Sequence, residues 1–280
     1  MSYLIFSPAI DQKKVKRASN AHYKKLKALF NKIGDNPEGE TLHQFRVEYK
    51  KLRAFLRMLS KNEAGLKIKV SKKLKKVYTI SGSIRDLQLQ QERIAEASKT
   101  PIKKPRAYLT LLKKEIEKLQ AELSEMIREK PVNESKKKTD SHLPDEFTLT
   151  SFKNFIQEKR AEIEAIVLSG YFSDDRIHSI RKKLKDLVYN MKEYKDAAAD
   201  IASAGIWAQK DEAYFKQLLE EFGSFQDKCT AIDLLKSHGL SGLNSNNQQQ
   251  LLQIKNRWMR EKNMMKKALM AKLKTDFTSR

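Results

Sequence analysis

One cysteine in 280 residues, Cys229, excludes an intramolecular disulfide and any zinc centre built on several thiolates, and the residue reads as a small core side chain. Runs of about 18 apolar residues are missing, so no membrane-spanning helix is expected. The opening MSYLIFSPAI lacks the basic flank and longer apolar core of a secretory signal, which points to a soluble, cytoplasmic protein. Six prolines and nine glycines are too few for a disordered chain or a turn-dense sheet protein. No Gly-rich phosphate loop of the Walker type, no Ser or Cys nucleophile motif and no metal-ligand cluster is present. The largest deficit is in negative charge: 35 Asp and Glu face 57 Lys and Arg, a formal net charge of +22. That excess is beyond what solubility requires and directs attention to a polyanionic partner.

Apolar residues recur at helical spacing through most of the sequence, and alternating strand patterns are scarce, so the fold reads as all-α. Breakers at residues 33–37, 63–66 and 100–105, and in the tract 131–145, end four helices. Further breaks at Ser169-Gly170, near 203–205 and at 239–247 divide a second set of four. The polar, proline-flanked stretch 131–146 reads as a linker between two four-helix halves, 1–130 and 147–280. Its Lys136 to Lys138 run reads as solvated surface. Charge is uneven: residues 1–150 carry a net +16 and residues 151–280 a net +6.

The halves repeat in two places. LHQFRVEYKKLRAFLRM aligns with IHSIRKKLKDLVYNMKE, superposing His43 on His178, Arg46 on Arg181 and Lys50 on Lys185. SGSIRDLQL aligns with FGSFQDKCT, superposing Gly82 on Gly223 and Asp86 on Asp227. Both correspondences follow from one duplication. Offsets of 0, 3, 7, 10 and 14 residues fall within an arc of roughly 80° on a helix and extend about 21 Å along it. His43, Arg46, Lys50, Arg53 and Arg57 occupy these offsets in the first half. His178, Arg181, Lys185, Val188 and Lys192 occupy them in the second. Phe45, Leu52, Leu56 and Leu59, like Ile180, Leu184, Leu187, Met191 and Tyr194, lie opposite and are expected in the cores. Glu48 falls on that apolar side without an evident reason. Arg, Lys and His are all phosphate donors, and two basic rows brought together would suit a linear polyanion better than one small phosphate.

LHQFRVEYKKLR closely resembles the signature of the CHAD family (conserved histidine α-helical domain), and IHSIRKKLKDLVY resembles its second copy. Ile84-Arg85-Asp86-Leu87 and Phe222-Gly223-Ser224-Phe225-Gln226-Asp227 are similar to the family's two further elements, in the right order. The resemblance implies two four-helix bundles, pseudo-two-fold related, around a basic central pore that binds inorganic polyphosphate. It implies pore-lining roles for His43, Arg46, Lys50, Arg53, His178, Arg181 and Lys185; Arg57 and Lys192 extend the rows by helical geometry. Arg85 reads either as a ligand or as a structural partner of Asp86, and Asp86 and Asp227 read as structural. Lys182 and Val188 depart from the family pattern, so the second row is expected to bind more weakly.

The expectation is therefore a non-catalytic polyphosphate-binding protein, without cofactor or metal, located in the cytoplasm and at polyphosphate granules. Phosphoryl-transfer sites hold Mg²⁺ with carboxylates, and neither row carries an acidic residue. The Glu115 to Leu119 segment lacks the final Lys of the Glu-x-Glu-x-Lys motif of the triphosphatases that accompany this domain elsewhere. The alternative is sequence-independent nucleic-acid binding, since phosphate contacts serve any such polymer. Against it, no nucleic-acid-binding module is recognisable, and Trp258, near Arg257 and Arg260, reads as a packing residue.

Overall fold

In this computed structural model, residues 9–10, 12–35, 39–61, 67–98, 104–193, 210–237 and 242–278 are described. The fold is all-α. In chain order the helices are α1 (Gln12–Asp35), α2 (Gly39–Leu59), α3 (Lys72–Ala97), α4 (Arg106–Arg128), α5 (Pro131–Asp140), α6 (Leu149–Leu168), α7 (Asp174–Glu193), α8 (Glu212–Ser237) and α9 (Ser245–Thr278). The expected break at Ser169-Gly170 falls between α6 and α7, and Lys104 and Pro105 precede α4; α1 continues through residues 33–35 and α9 begins at Ser245, within two of the expected breaks, while residues 36–37, 63–66, 100–103, 203–205 and 239–241 lie outside the described residues. Ser71 and Thr148 start α3 and α6 by accepting from the backbone N–H three residues on, at 3.2 and 3.0 Å. Gly170, at φ 65°, makes the left-handed turn that ends α6. Among the described residues no helix is long and apolar enough to cross a membrane.

Two details depart from the sequence reading. Ala9–Ile10 (β1) pairs antiparallel with Phe147–Thr148 (β2), Ala9 opposite Thr148 and Ile10 opposite Phe147, a two-residue clip within a helical protein. The larger correction concerns the stretch 131–146, read as a polar linker. Its first ten residues are α5, which packs on α1 and α3 and buries Pro131, Val132, Ser135 and Thr139. Those two hydroxyls can be buried because Tyr23 of α1 meets both, at 3.0 and 2.6 Å. Lys136 is paired with Asp140, and Lys137 and Lys138 are exposed.

α2 packs against α1, α3 and α7; α7 packs against α6 and α8; and α3 meets α8. The two basic rows are therefore on neighbouring helices, flanked by α3 and α8. Phe45, Leu52, Leu56 and Leu59 are buried, as are Ile180, Leu184 and Leu187, while Met191 is half-buried. Tyr194 lies outside the described residues. Glu48, unexplained by periodicity, is buried and pairs with His22 Nδ1 of α1 at 2.6 Å. Burial pushes its carboxyl up, but the His22 hydrogen bond and the nearby Lys51 and Lys25 outweigh it and hold the pKa below the usual carboxylate range.

Candidate functional site

α2 and α7 are cross-linked where they pack. Arg57 donates through Nε at 2.8 Å and through Nη2 to the buried Asp186 carboxylate, and Asn190 Nδ2 donates to the Ala54 carbonyl at 3.2 Å. Arg57, placed in the first row by its spacing, is thus partnered within the protein and holds the row helices together. Lys192 lies within α7, and its side chain is outside what the structure describes.

Above this cross-link the rows converge. Lys50 of α2 lies within electrostatic reach of Arg46, of Arg181 on α7, and of Asp86 and Asp227. Burial and the two arginines outweigh the carboxylates and lower the Lys50 pKa to about 8. Lys185 is lowered to about 7 by burial, Arg181 and Lys50, against Asp227 alone. Burial also lowers Arg181, whose Nε has no hydrogen-bond partner. Such a cluster houses positive charge at a cost, because water has been removed and the balancing carboxylates are too few. Asp86 is raised by burial, with Asp227 adding to the shift and Arg46, Lys50 and Arg93 opposing it. Asp227 is further engaged by Arg93 at 3.3 Å.

The histidines stand one helical turn before Arg46 and Arg181. Burial lowers both imidazoles, with Arg85, Lys50 and Arg46 adding to it at His43 and Lys182 and Arg181 at His178. His178 Nδ1 is buried without a hydrogen-bond partner. Arg85 does not pair with Asp86. It is 3.8 Å from Glu92, its Nε is buried and unpartnered, and its charge is felt at His43. The structure thus turns Arg85 toward the His43 end of the row.

The sequence reading did not anticipate how the first row is held. Arg46 Nη1 donates to the Tyr78 carbonyl at 2.9 Å, and the Arg46 guanidinium lies 4.7 Å from the centre of the Tyr78 ring. Tyr78 stacks on Tyr49 at 4.1 Å and 15°, and Arg53 lies 5.9 Å from the Tyr49 ring. Two arginines seven residues apart are thus fixed at the ends of an aromatic pair. The equivalent positions in the second half are Leu184 and Leu219, with Val188 in place of Arg53, so that row lacks the stack.

The repeated glycines acquire a purpose here. A Cβ on Gly82 would lie 2.0 Å from Arg46 Nη1, whereas one on Gly223 would lie 3.6 Å from Arg181 Nη2. Gly82 is the clearance that lets Arg46 reach Tyr78. Gly82→Ala is expected to leave thermal stability within about 1 kcal/mol, since alanine favours helix as the arginine is displaced, yet to weaken anion binding roughly tenfold. Gly223→Ala, in ordinary contact distance, should leave affinity nearly unchanged. Titration of both variants with a polyphosphate checks the contrast, and equal effects would remove this role for Gly82.

The CHAD domain profile matches residues 17–236. The chain belongs to the CHAD family. The crystal structure of the CHAD domain from the plant Ricinus communis is similar in fold, with a TM-score of 0.67 at 15% identity, covering 95% of this chain and 94% of that one. No curated protein matches the chain. In this CHAD protein the family profile spans α2, α3, α7 and nearly all of α8, the helices that carry the cationic cluster. Among the described residues no group of three His, Cys, Asp or Glu could hold a metal ion. Cys229 is half-buried and its thiol is pushed up to about 11 by burial and by Asp174, so it stays protonated at neutral pH.

Proposed function

We propose that this CHAD protein binds inorganic polyphosphate in the cleft between α2 and α7, without catalysing a reaction on it. The observation that carries the reading is the gathering of Arg46, Lys50, Arg181 and Lys185 into one desolvated, mutually repelling cluster. A bound chain of phosphates would supply the missing negative charge, and His43, Arg53, Arg85 and His178 extend the same surface. Arg57 acts by positioning, through Asp186. The reading takes the two halves as pseudo-two-fold related, so that each contributes an equivalent His, Arg and Lys.

A base-stacking role for Trp258 has no support: the ring is 3% exposed and Lys228 covers it at 5.5 Å. Polyphosphate has no bases, and the aromatic pair in this site, Tyr49 and Tyr78, is taken up by its own stack and by Arg46 and Arg53.

Competition at physiological ionic strength tests the reading. Long-chain polyphosphate is expected to displace labelled single-stranded DNA at a phosphate concentration about 100-fold below that at which DNA displaces polyphosphate. Arg46→Ala with Arg181→Ala should weaken polyphosphate by roughly the same factor while helicity persists. Equal competition would reduce the cleft to a general cationic surface.

A further inference from the structure

The cleft does not account for the charge of this protein. α1 alone carries eight Lys and Arg against a single acidic residue, Asp35 at its last position. Its apolar side is sealed: Val15, Tyr23, Leu26, Phe30 and Ile33 are buried, Phe30 lies 6.2 Å from Phe45, and His22 pairs with Glu48. Since Phe45 and Glu48 lie on the side of α2 turned from the basic row, α1 covers the back of the row helix. Its cations face away from the cleft.

Two exposed lysines of α3 have carboxylate partners. Lys73 pairs with Glu129 at 2.9 Å and Lys76 with Glu122 at 2.8 Å. On α1 the pattern stops: Lys14, Lys16, Arg17, Lys24, Lys25 and Lys27 are all exposed, and none makes an ion pair among the described residues. The row continues to Lys32, about 27 Å along the helix from Lys14. An ordinary solvated face intersperses both signs, and this one does not.

We infer that the outer face of α1 is a second polyanion-binding surface, taking another segment of phosphate polymer while the cleft is occupied. The inference rests on the proposed cleft function for the identity of the polymer. The chemistry of the face selects the same class of ligand. It offers point charges over a length of several phosphates, with no exposed aromatic ring to stack on a base. Its apolar residues are committed to the core, so it has nothing to insert into a lipid surface. Two polyanion sites on opposite sides of α2 make the protein bivalent. A bivalent binder joins separate chains, and long polymers then condense at protein concentrations at which short ones only bind.

The test uses the full chain with Lys14, Lys16, Arg17, Lys24, Lys25 and Lys27 changed to Gln, beside the Arg46→Ala, Arg181→Ala double variant. The α1 variant should bind a short polyphosphate at the cleft with affinity within about threefold of the parent, but lose the weaker second class of sites. Its turbidity with long-chain polyphosphate should fall about tenfold, and the slope of log affinity against log salt for long chains should drop by several. Undiminished turbidity and an unchanged salt slope in the α1 variant would overturn the inference while leaving the cleft reading intact. Loss of all binding in the α1 variant, with none in the cleft variant, would instead overturn the cleft reading. Circular dichroism and melting of both variants establish that each is folded, and single exposed-charge reversals such as Lys24→Glu repeat the comparison if the sixfold variant is not.

Discussion

Replacing Lys50 and Lys185 together by methionine is expected to make the protein more stable and to remove most of its affinity for polyphosphate. Both lysines are largely buried among arginines, and their pKa values of about 8 and about 7 record how poorly the fold houses their charge. The strain corresponds to about 3 kcal/mol for the pair, after generous allowance for relaxation. Methionine keeps the stem, fills a similar volume and carries no charge, so it relieves the repulsion without opening a cavity. For a chain of this length the melting temperature should rise by roughly 5–10 °C. Each lysine also contributes a charge-assisted contact to a bound phosphate, so affinity at pH 7 should fall on the order of 100-fold. Differential scanning calorimetry and binding titration on the same preparation check the pair of effects. A fall in melting temperature would mean that the lysines serve the fold, and the argument from strain to function would fail.

The opposition of the two effects also explains which parts of this molecule were legible in its sequence. Helices with a clean apolar stripe, such as α2 and α7, announce themselves, and so does the duplication, because His43, Arg46 and Lys50 recur as His178, Arg181 and Lys185 in unbroken register. Helix α5 was hidden because two of its buried residues, Ser135 and Thr139, are polar. Tyr23, more than a hundred residues earlier, and for Ser135 also the Ser71 N–H, make their burial tolerable. Glu48 was opaque for the same reason: its partner His22 sits on another helix. Spacing put Arg57 in the basic row, which is geometrically right, but spacing cannot say that Asp186 faces it. The Tyr49–Tyr78 stack joins residues on two helices and leaves no local pattern. One signal for it was present. Gly82 lies mid-helix, where glycine costs stability, and its recurrence as Gly223 marked a place where a backbone must admit a side chain.

Raising the pH from 7 to 9 should weaken polyphosphate binding and, over the same interval, strengthen the empty fold. For the free protein, Lys185 loses its proton near pH 7 and Lys50 near pH 8, whereas both keep it to about 10.5 in the unfolded chain. Between those values the unfolded chain holds more protons than the folded one, so stability increases with pH. The groups facing the pair do not reverse this: burial, Arg46 and Arg181 disfavour the protonated lysines, and Asp86 and Asp227 only partly offset them. Binding runs the other way. A phosphate chain favours the protonated lysines, so complex formation must draw protons from solution once the free amines are neutral. Each pH unit above the free value then costs about tenfold in affinity per lysine, which over this interval amounts to roughly 100-fold or more. Calorimetric titration in buffers of different ionisation enthalpy should register proton uptake on binding at pH 8, and the Lys50→Met, Lys185→Met variant should show neither the uptake nor the slope. Affinity independent of pH between 7 and 9 in the parent protein would show that the bound polymer does not reach these two amines, and would move the binding surface outward to His43, Arg53 and Arg85.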